Sequence, residues 1–239
     1  MLFNTIDFVI FFFLVVGIIT ILKYRRFQHI FIIFASVFFL YYTNSYLIVI
    51  LIFTILFHYY IGRQIYKTDS KDGKKIFLIA GLAGSLGLLG FFKYADFAIA
   101  QFNIFGNIMD LGSEIPLLNL ALPIGISFYT FQSISYIIDI YRGNLTPSKT
   151  LREYAFFVAF FPTLVAGPIL RARQFLPQLR EKIEQSNTTG RLRQFVIQHS
   201  NLKFGLTLMA LGFLKKMFFA DNIGLLVDKI FSNPIGMES

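Results

Sequence analysis

Residues 160–179 read FFPTLVAGPILRARQFLPQL. The run opens as an apolar, membrane-type segment, meets Pro162, Gly167 and Pro168, and ends on Arg171 and Arg173. Proline removes a helical hydrogen bond and collides with the preceding turn, while glycine accepts torsions that other residues avoid. Cationic stretches lie on both sides, Arg142 to Arg152 before it and Arg171 to Arg193 at its end. Lys and Arg concentrate in cytoplasmic loops. A segment with two cytoplasmic flanks cannot cross a bilayer once; it must enter and return. Broken backbone persists at membrane depth only when it is buried in protein or lines a wet cavity. The pattern therefore predicts a re-entrant hairpin in a cavity wall. The competing reading is an ordinary kinked spanning helix.

Composition sets the same context. Of 239 residues, 56% are hydrophobic and 15% are charged, against about 25% charged in soluble domains. The class expected is an integral membrane protein. The net charge of +9 does not point to nucleic acid, because the cations sit in short stretches between dominant apolar runs. The chain has no Cys, so it carries no disulfide, thiolate metal site or Cys nucleophile. Trp is absent too, leaving Tyr41, Tyr42, Tyr59 and Tyr60 as candidates for an interfacial aromatic belt. The first apolar run has no basic segment before it and no small-residue cleavage site after it. It is expected to be retained as a helix.

Moving outward along the chain, apolar segments are expected at about 6–22, 30–42, 46–61, 76–92, 124–141 and 202–219. Lys23, Arg25 and Arg26 put the end of the first segment on the cytoplasmic side. The second is short for a ~30 Å core, and Thr43-Asn44-Ser45 reads as a turn before the third. Gly62 to Lys75 reads as a solvated loop, and Phe97 to Met109 as a separate interfacial helix. Gly81, Gly84, Gly87 and Gly90 form a stripe of small residues suited to close helix packing. The segment ending at Tyr141 carries Ser127, Thr130, Gln132, Ser133, Ser135 and Asp139. Polar groups at depth face protein or water rather than lipid, so this helix is expected near the centre. Phe175 to Gln198 is expected to form cytoplasmic surface helices. Lys215 and Lys216 close an apolar run, where they either snorkel or pair with an acid or anion.

Three stretches, LPIGISFYTFQSISYIIDIYRG (122–143), FFPTLVAGPILRARQFLPQL (160–179) and LGFLKKMFFADNIGLLVDKIF (211–231), resemble corresponding stretches of membrane-bound O-acyltransferases. The resemblance is to the branch that includes the alginate O-acetyltransferase and the D-alanyl transfer protein of teichoic acid synthesis. The N-terminal MLFNTIDF is also similar to the usual start of that branch. The resemblance implies an all-α, polytopic transmembrane fold around a central funnel, where a donor from one side meets an acceptor from the other. It implies transfer of an acyl group, acetyl by default, onto a hydroxyl of an exported polysaccharide or cell-envelope glycan. The family's catalytic histidine sits in a later stretch, followed by a run with Trp and Arg. Residues 1–239 are accordingly expected to be the N-terminal part of one such domain, incomplete at its C-terminal side.

His29, His58 and His199 lie in no matching motif and are expected at interfaces or in solvent. No catalytic residue is therefore assigned within the chain, and no metal site. Ser127, Gln132, Asp139, Pro162, Gly167, Pro168, Arg171 and Arg173 are the candidate cavity or donor-mouth residues. Arg171 and Arg173 either meet an anionic donor or act as topological anchors. The expected co-substrate is an acyl donor, acetyl-CoA or an acyl carrier thioester, with no permanently bound cofactor. The expected partners are the bilayer, the donor, a hydroxyl acceptor and an extracytoplasmic protein, with no nucleic acid. The location is a multi-pass one in the cell membrane. Two other classes fit the same features: a non-catalytic membrane subunit, and a transporter or channel built on broken helices.

Overall fold

The structure is a computed structural model that describes residues 5–22, 25–44, 48–109, 115–123, 125–164, 169–187 and 199–232. Regular structure among the described residues is helical throughout, as expected of an all-α chain. The helices are α1 (Ile6–Ile21), α2 (Arg25–Asn44), α3 (Ile48–Lys67), α4 (Lys71–Ile108), α5 (Ile126–Tyr141), α6 (Leu151–Val158), α7 (Phe161–Leu164), α8 (Ala172–Asn187), α9 (His199–Leu214) and α10 (Asp221–Ser232). A π turn, Lys215–Ala220, joins α9 to α10. Two helices, α3 and α4, are each long and apolar enough to cross a membrane.

Several boundaries differ from the sequence reading. The stretch expected as a solvated loop, Gly62 to Lys75, is mostly helix. α3 runs to Lys67, and α4 starts at Lys71 behind Ser70, whose Oγ accepts the Gly73 N–H at 3.3 Å. The charges here occupy exposed faces, while Ile65 and Gly62 stay buried and keep α3 continuous. The separate interfacial helix over Phe97 to Met109 does not exist either. α4 continues unbroken to Ile108, 38 residues in all, or about 57 Å at 1.5 Å per residue. Nothing between Phe92 and Phe97 breaks a helix. The segment 115–119 is tied back along it. Asn103 accepts the Ile115 N–H and donates to the Ile115 carbonyl, at 2.9 and 2.8 Å, and Asp96 accepts the Leu118 N–H at 2.8 Å.

Residues 26–192 form one compact unit. Within it α3, α4 and α5 pack on one another, and α6, α7 and α8 cover another side of α5. The central place expected for α5 holds: ten of its sixteen residues are buried. Small residues let the three helices approach. A Cβ on Gly62 would meet the Tyr136 ring at 2.7 Å, and one on Gly81 would meet Ile137 Cδ1 at 2.6 Å. The glycine stripe works over half its length only, since a Cβ on Gly87 or Gly90 would find open space. A three-residue spacing falls about 60° short of a full turn at each step, so Gly90 faces away from Gly81.

Residues 1–25 and 193–239 form the other unit. There α9, the π turn and α10 run on as one helical rod. Lys216 Nζ meets Asp221 Oδ1 at 2.9 Å. Of the two readings of the lysines, Lys216 takes the paired one. The π register brings positions i and i+5 together, and the Asp221 N–H correspondingly reaches the Lys216 carbonyl.

Candidate active site

Residues 150–164 and 169–180 form two arms that lie against each other, a hairpin built in steps. Thr150 caps α6 by accepting the Glu153 N–H at 3.2 Å, and Glu153 Oε2 accepts the Lys149 N–H at 2.9 Å. This is a close variant of the capping box, legible as T-x-x-E at 150–153. α6 lasts eight residues, about 12 Å, far short of a ~30 Å bilayer core. The helix stops at Ala159 and a short turn, α7, follows with Pro162 half-buried inside it. The interrupted backbone is satisfied from outside. Ser36 on α2 accepts the Phe161 N–H at 3.2 Å while donating to the Ile32 carbonyl.

The chain then comes back. Phe175 on α8 packs its ring against Phe156, Phe157 and Phe160, with centroids 5.6–5.9 Å apart. One turn and a half further on, Arg180 donates to Glu153 Oε1 at 2.6 Å, to Thr146 Oγ1 at 2.8 Å and to the Pro147 carbonyl at 3.1 Å. The outgoing and returning arms therefore meet again at the end where the hairpin began.

α5 runs antiparallel to the outgoing arm, and one of its faces reads it level by level. Gly125, at φ +78°, lies so close to Leu164 that a Cβ would collide with the Leu164 carbonyl oxygen. Gln132 Nε2 donates to the Phe157 carbonyl at 2.9 Å. Tyr136 stacks on Tyr154 with centroids 4.4 Å apart, and its hydroxyl accepts the Ser148 N–H at 3.1 Å. The start of α5, itself preceded by Pro123, thus meets the inner end of the outgoing arm.

The structure brings some expected site residues together and leaves others apart. Gln132 is buried and tied to the hairpin. Asp139 is buried near the last turn of α5, and Ser127 is half-buried in the first. Arg171 and Arg173 are exposed where α8 begins. They lie nine and seven residues before Arg180, about 13 and 10 Å along the helix. Gly167 and Pro168 lie outside the described residues. Among the described residues, no three of His, Asp and Glu gather to hold a metal ion.

Two histidines differ from expectation, and the His199 side chain lies outside the described residues. His29 is buried with its ring 5.1 Å from Phe156. His58 is 1% exposed and bridges two helices: Nδ1 lies 2.8 Å from the Thr54 carbonyl on its own helix, and Nε2 lies 2.6 Å from Ser85 Oγ on α4. Neither is solvated. A histidine followed on the next helix by serine in a small-residue stripe carries no local signature. Pairing across 27 residues is fixed by helix register, and that is why sequence reasoning missed it.

Comparison with known proteins follows this geometry. The chain is 32% identical, over its whole length, to the peptidoglycan O-acetyltransferase of Helicobacter pylori, of which it spans 48%. Over 75% of its length it is 38% identical to the probable alginate O-acetylase AlgI of Pseudomonas putida, covering 35% of that protein. A shorter match, 38% identical over 24% of the chain, is to the teichoic acid D-alanyltransferase of Bacillus subtilis. The chain spans at most about half the length of these curated relatives. No protein-family profile and no solved structure matches it. With the alginate O-acetylases of the resemblance recovered over most of its length, and the D-alanyltransferase over a shorter stretch, the chain belongs to the membrane-bound O-acyltransferase family.

Proposed function

We propose that the protein is a multi-pass enzyme of the cell membrane that moves an acetyl group from a thioester donor to a hydroxyl of an exported or cell-envelope glycan. Residues 1–239 supply part of the chamber wall. The acceptor oxygen attacks the thioester carbonyl carbon, the carbon–sulfur bond breaks, and the hydroxyl proton passes through a base to the departing thiol. His29 and His58 are committed to packing and interhelical bonding, so neither is assigned as that base.

The observation that carries the reading is the hairpin clasped at Glu153–Arg180, in a chain similar throughout to a peptidoglycan O-acetyltransferase. A hairpin whose arms reunite is suited to dip into the membrane from one face. Its interrupted backbone is covered by α2 and α5, as non-helical chain at that depth requires. With Arg180 at the cytoplasmic rim, Arg171 and Arg173 stand ~10–13 Å inward along α8 with exposed side chains. An exposed cation at that depth is costly unless it faces water or an anion. This favours contact with an anionic donor over a purely topological role.

The test is O-acetyl content. The full reading frame is expressed in membranes carrying an acceptor glycan, and alkali-labile acetate on the glycan is measured. Acetate above that of cells lacking the gene is expected, and it should fall in the Arg171→Ala, Arg173→Ala double variant through a raised KM for donor. An inserted, stable protein that leaves the glycan unacetylated overturns the reading.

A further inference from the structure

α4 outruns its neighbours. Ile61 and Phe57 of α3 lie against Gly81 and Gly84 of α4, and Ile137 of α5 also lies against Gly81. At equal rise from these contacts, Ile48 and Ile126, the first residues of α3 and α5, stand level with Phe92 to Tyr94. Residues 94–108 therefore project past both starts by ~22 Å, away from the Lys71–Lys75 end. Even at a steep tilt of ~40°, α4 covers ~44 Å of depth against a hydrocarbon core of ~30 Å. With its lysines at one surface, its far end lies outside the core on the other.

This far end has a covered side and a bare side. Asp96 and Asn103, one heptad apart, hold the backbone of Leu118 and Ile115, and Gly106 is buried on the same side. About 150° round the helix from Asp96 and Asn103, Tyr94, Phe97, Gln101, Ile104 and Ile108 are all exposed. With Ala98 and Phe105 they line one open groove. Alternating steps of three and four residues make this the a/d seam of a coiled coil, with Tyr94, Gln101 and Ile108 at a and Phe97 and Ile104 at d. A seam of that spacing receives a helix. A sugar would find one polar side chain in it, and lipid tails do not reach beyond the core.

The seam fits its own copy. Membrane insertion gives every copy one orientation, so two α4 helices meet parallel, with the same residues at the same depth. Phe97 then packs on Phe97 and Ile104 on Ile104, and no charged layer faces its like. The polar layer completes itself, because an amide carries both donors and an acceptor and Gln101 of one copy pairs with Gln101 of the other. A single polar residue at an a position is a known device for fixing register and strand number. We infer that residues 94–108 of two copies pair as a parallel two-stranded coil about a two-fold axis normal to the membrane. Confinement to one bilayer raises the effective concentration that so short a seam needs.

The experiment uses the full-length protein in native membranes, with Phe97→Cys, Ile104→Cys or Asn107→Cys and a short bis-maleimide; the unsubstituted protein gives the background. Asn107 is also exposed but lies ~120° off the seam centre. Phe97→Cys and Ile104→Cys are expected to give a product of doubled mass, and Asn107→Cys to stay at background. Gln101→Lys sets two cations face to face and is expected to lower the dimer association constant in vesicles about tenfold, the factor of ~1.4 kcal/mol. Its unfolding midpoint in detergent should match wild type, because position 101 is exposed. Absence of the doubled product overturns the inference. So does equal product from Asn107→Cys, which shows chance collision, or a product whose added mass belongs to a different protein. An association constant unmoved by Gln101→Lys overturns it as well.

Discussion

Arg180 on α8 donates from Nε to Glu153 Oε1 on α6 at 2.6 Å, closing a loop of 27 residues, and its other nitrogens hold Thr146 and Pro147. Arg180→Ala removes the clasp and strands the Glu153 carboxylate, whose side chain is 9% exposed. The expected loss is about 2–3 kcal/mol, below the ~3–5 of a fully buried pair because Arg180 keeps 19% of its side chain exposed. Thermal unfolding in detergent checks the size. Limited proteolysis should show earlier cutting near 144–150.

Gly125→Ala tests the meeting of α5 with the inner end of the outgoing arm. The substitution puts a side chain at φ +78° and drives its Cβ into the Leu164 carbonyl, a backbone atom that cannot swing away. A loss of at least ~2 kcal/mol is expected. Equal stability of wild type and variant would show that the contact does not hold α7 in place.

Ser85→Ala leaves His58 Nε2 buried without its partner on α4 and is expected to cost ~1–3 kcal/mol. His58→Leu should cost a similar amount, and the double variant less than the sum. A coupling free energy near zero in the double-mutant cycle would contradict a direct bond between the two side chains.

The glycine stripe divides by helix phase. Gly81→Leu is expected to push Ile137 and Ile61 off α4 and destabilise the unit by a few kcal/mol. Gly90→Ala meets nothing within 4 Å and should stabilise by ~0.5–1 kcal/mol through helix propensity. Unfolding midpoints should therefore move in opposite directions.

These residues mark where sequence was legible and where it was not. Polar content placed α5 at the centre, because buried hydroxyls and amides need protein partners wherever they occur. Pro162 announced a broken helix, because proline acts on its own turn. Helix ends were less legible. Charge between Gly62 and Lys75 looked like a loop, yet charged side chains ride on exposed helix faces without breaking the backbone. The clasp at Glu153–Arg180 and the His58–Ser85 bridge each join residues 27 positions apart. Such pairs follow from how helices register against one another, and local pattern does not encode that.

The claim on which the account turns is that the hairpin enters and leaves the membrane on the same side. Residues 1–239 contain no cysteine, so Lys149→Cys and Gln178→Cys, both at exposed positions, each add one thiol to this part of the protein, and the unsubstituted protein gives the background labelling to subtract. Labelling of intact and permeabilised cells with a membrane-impermeant maleimide reports the side of each. The account predicts that both thiols are protected in intact cells and labelled after permeabilisation. Labelling of one from outside and the other only from within would contradict it.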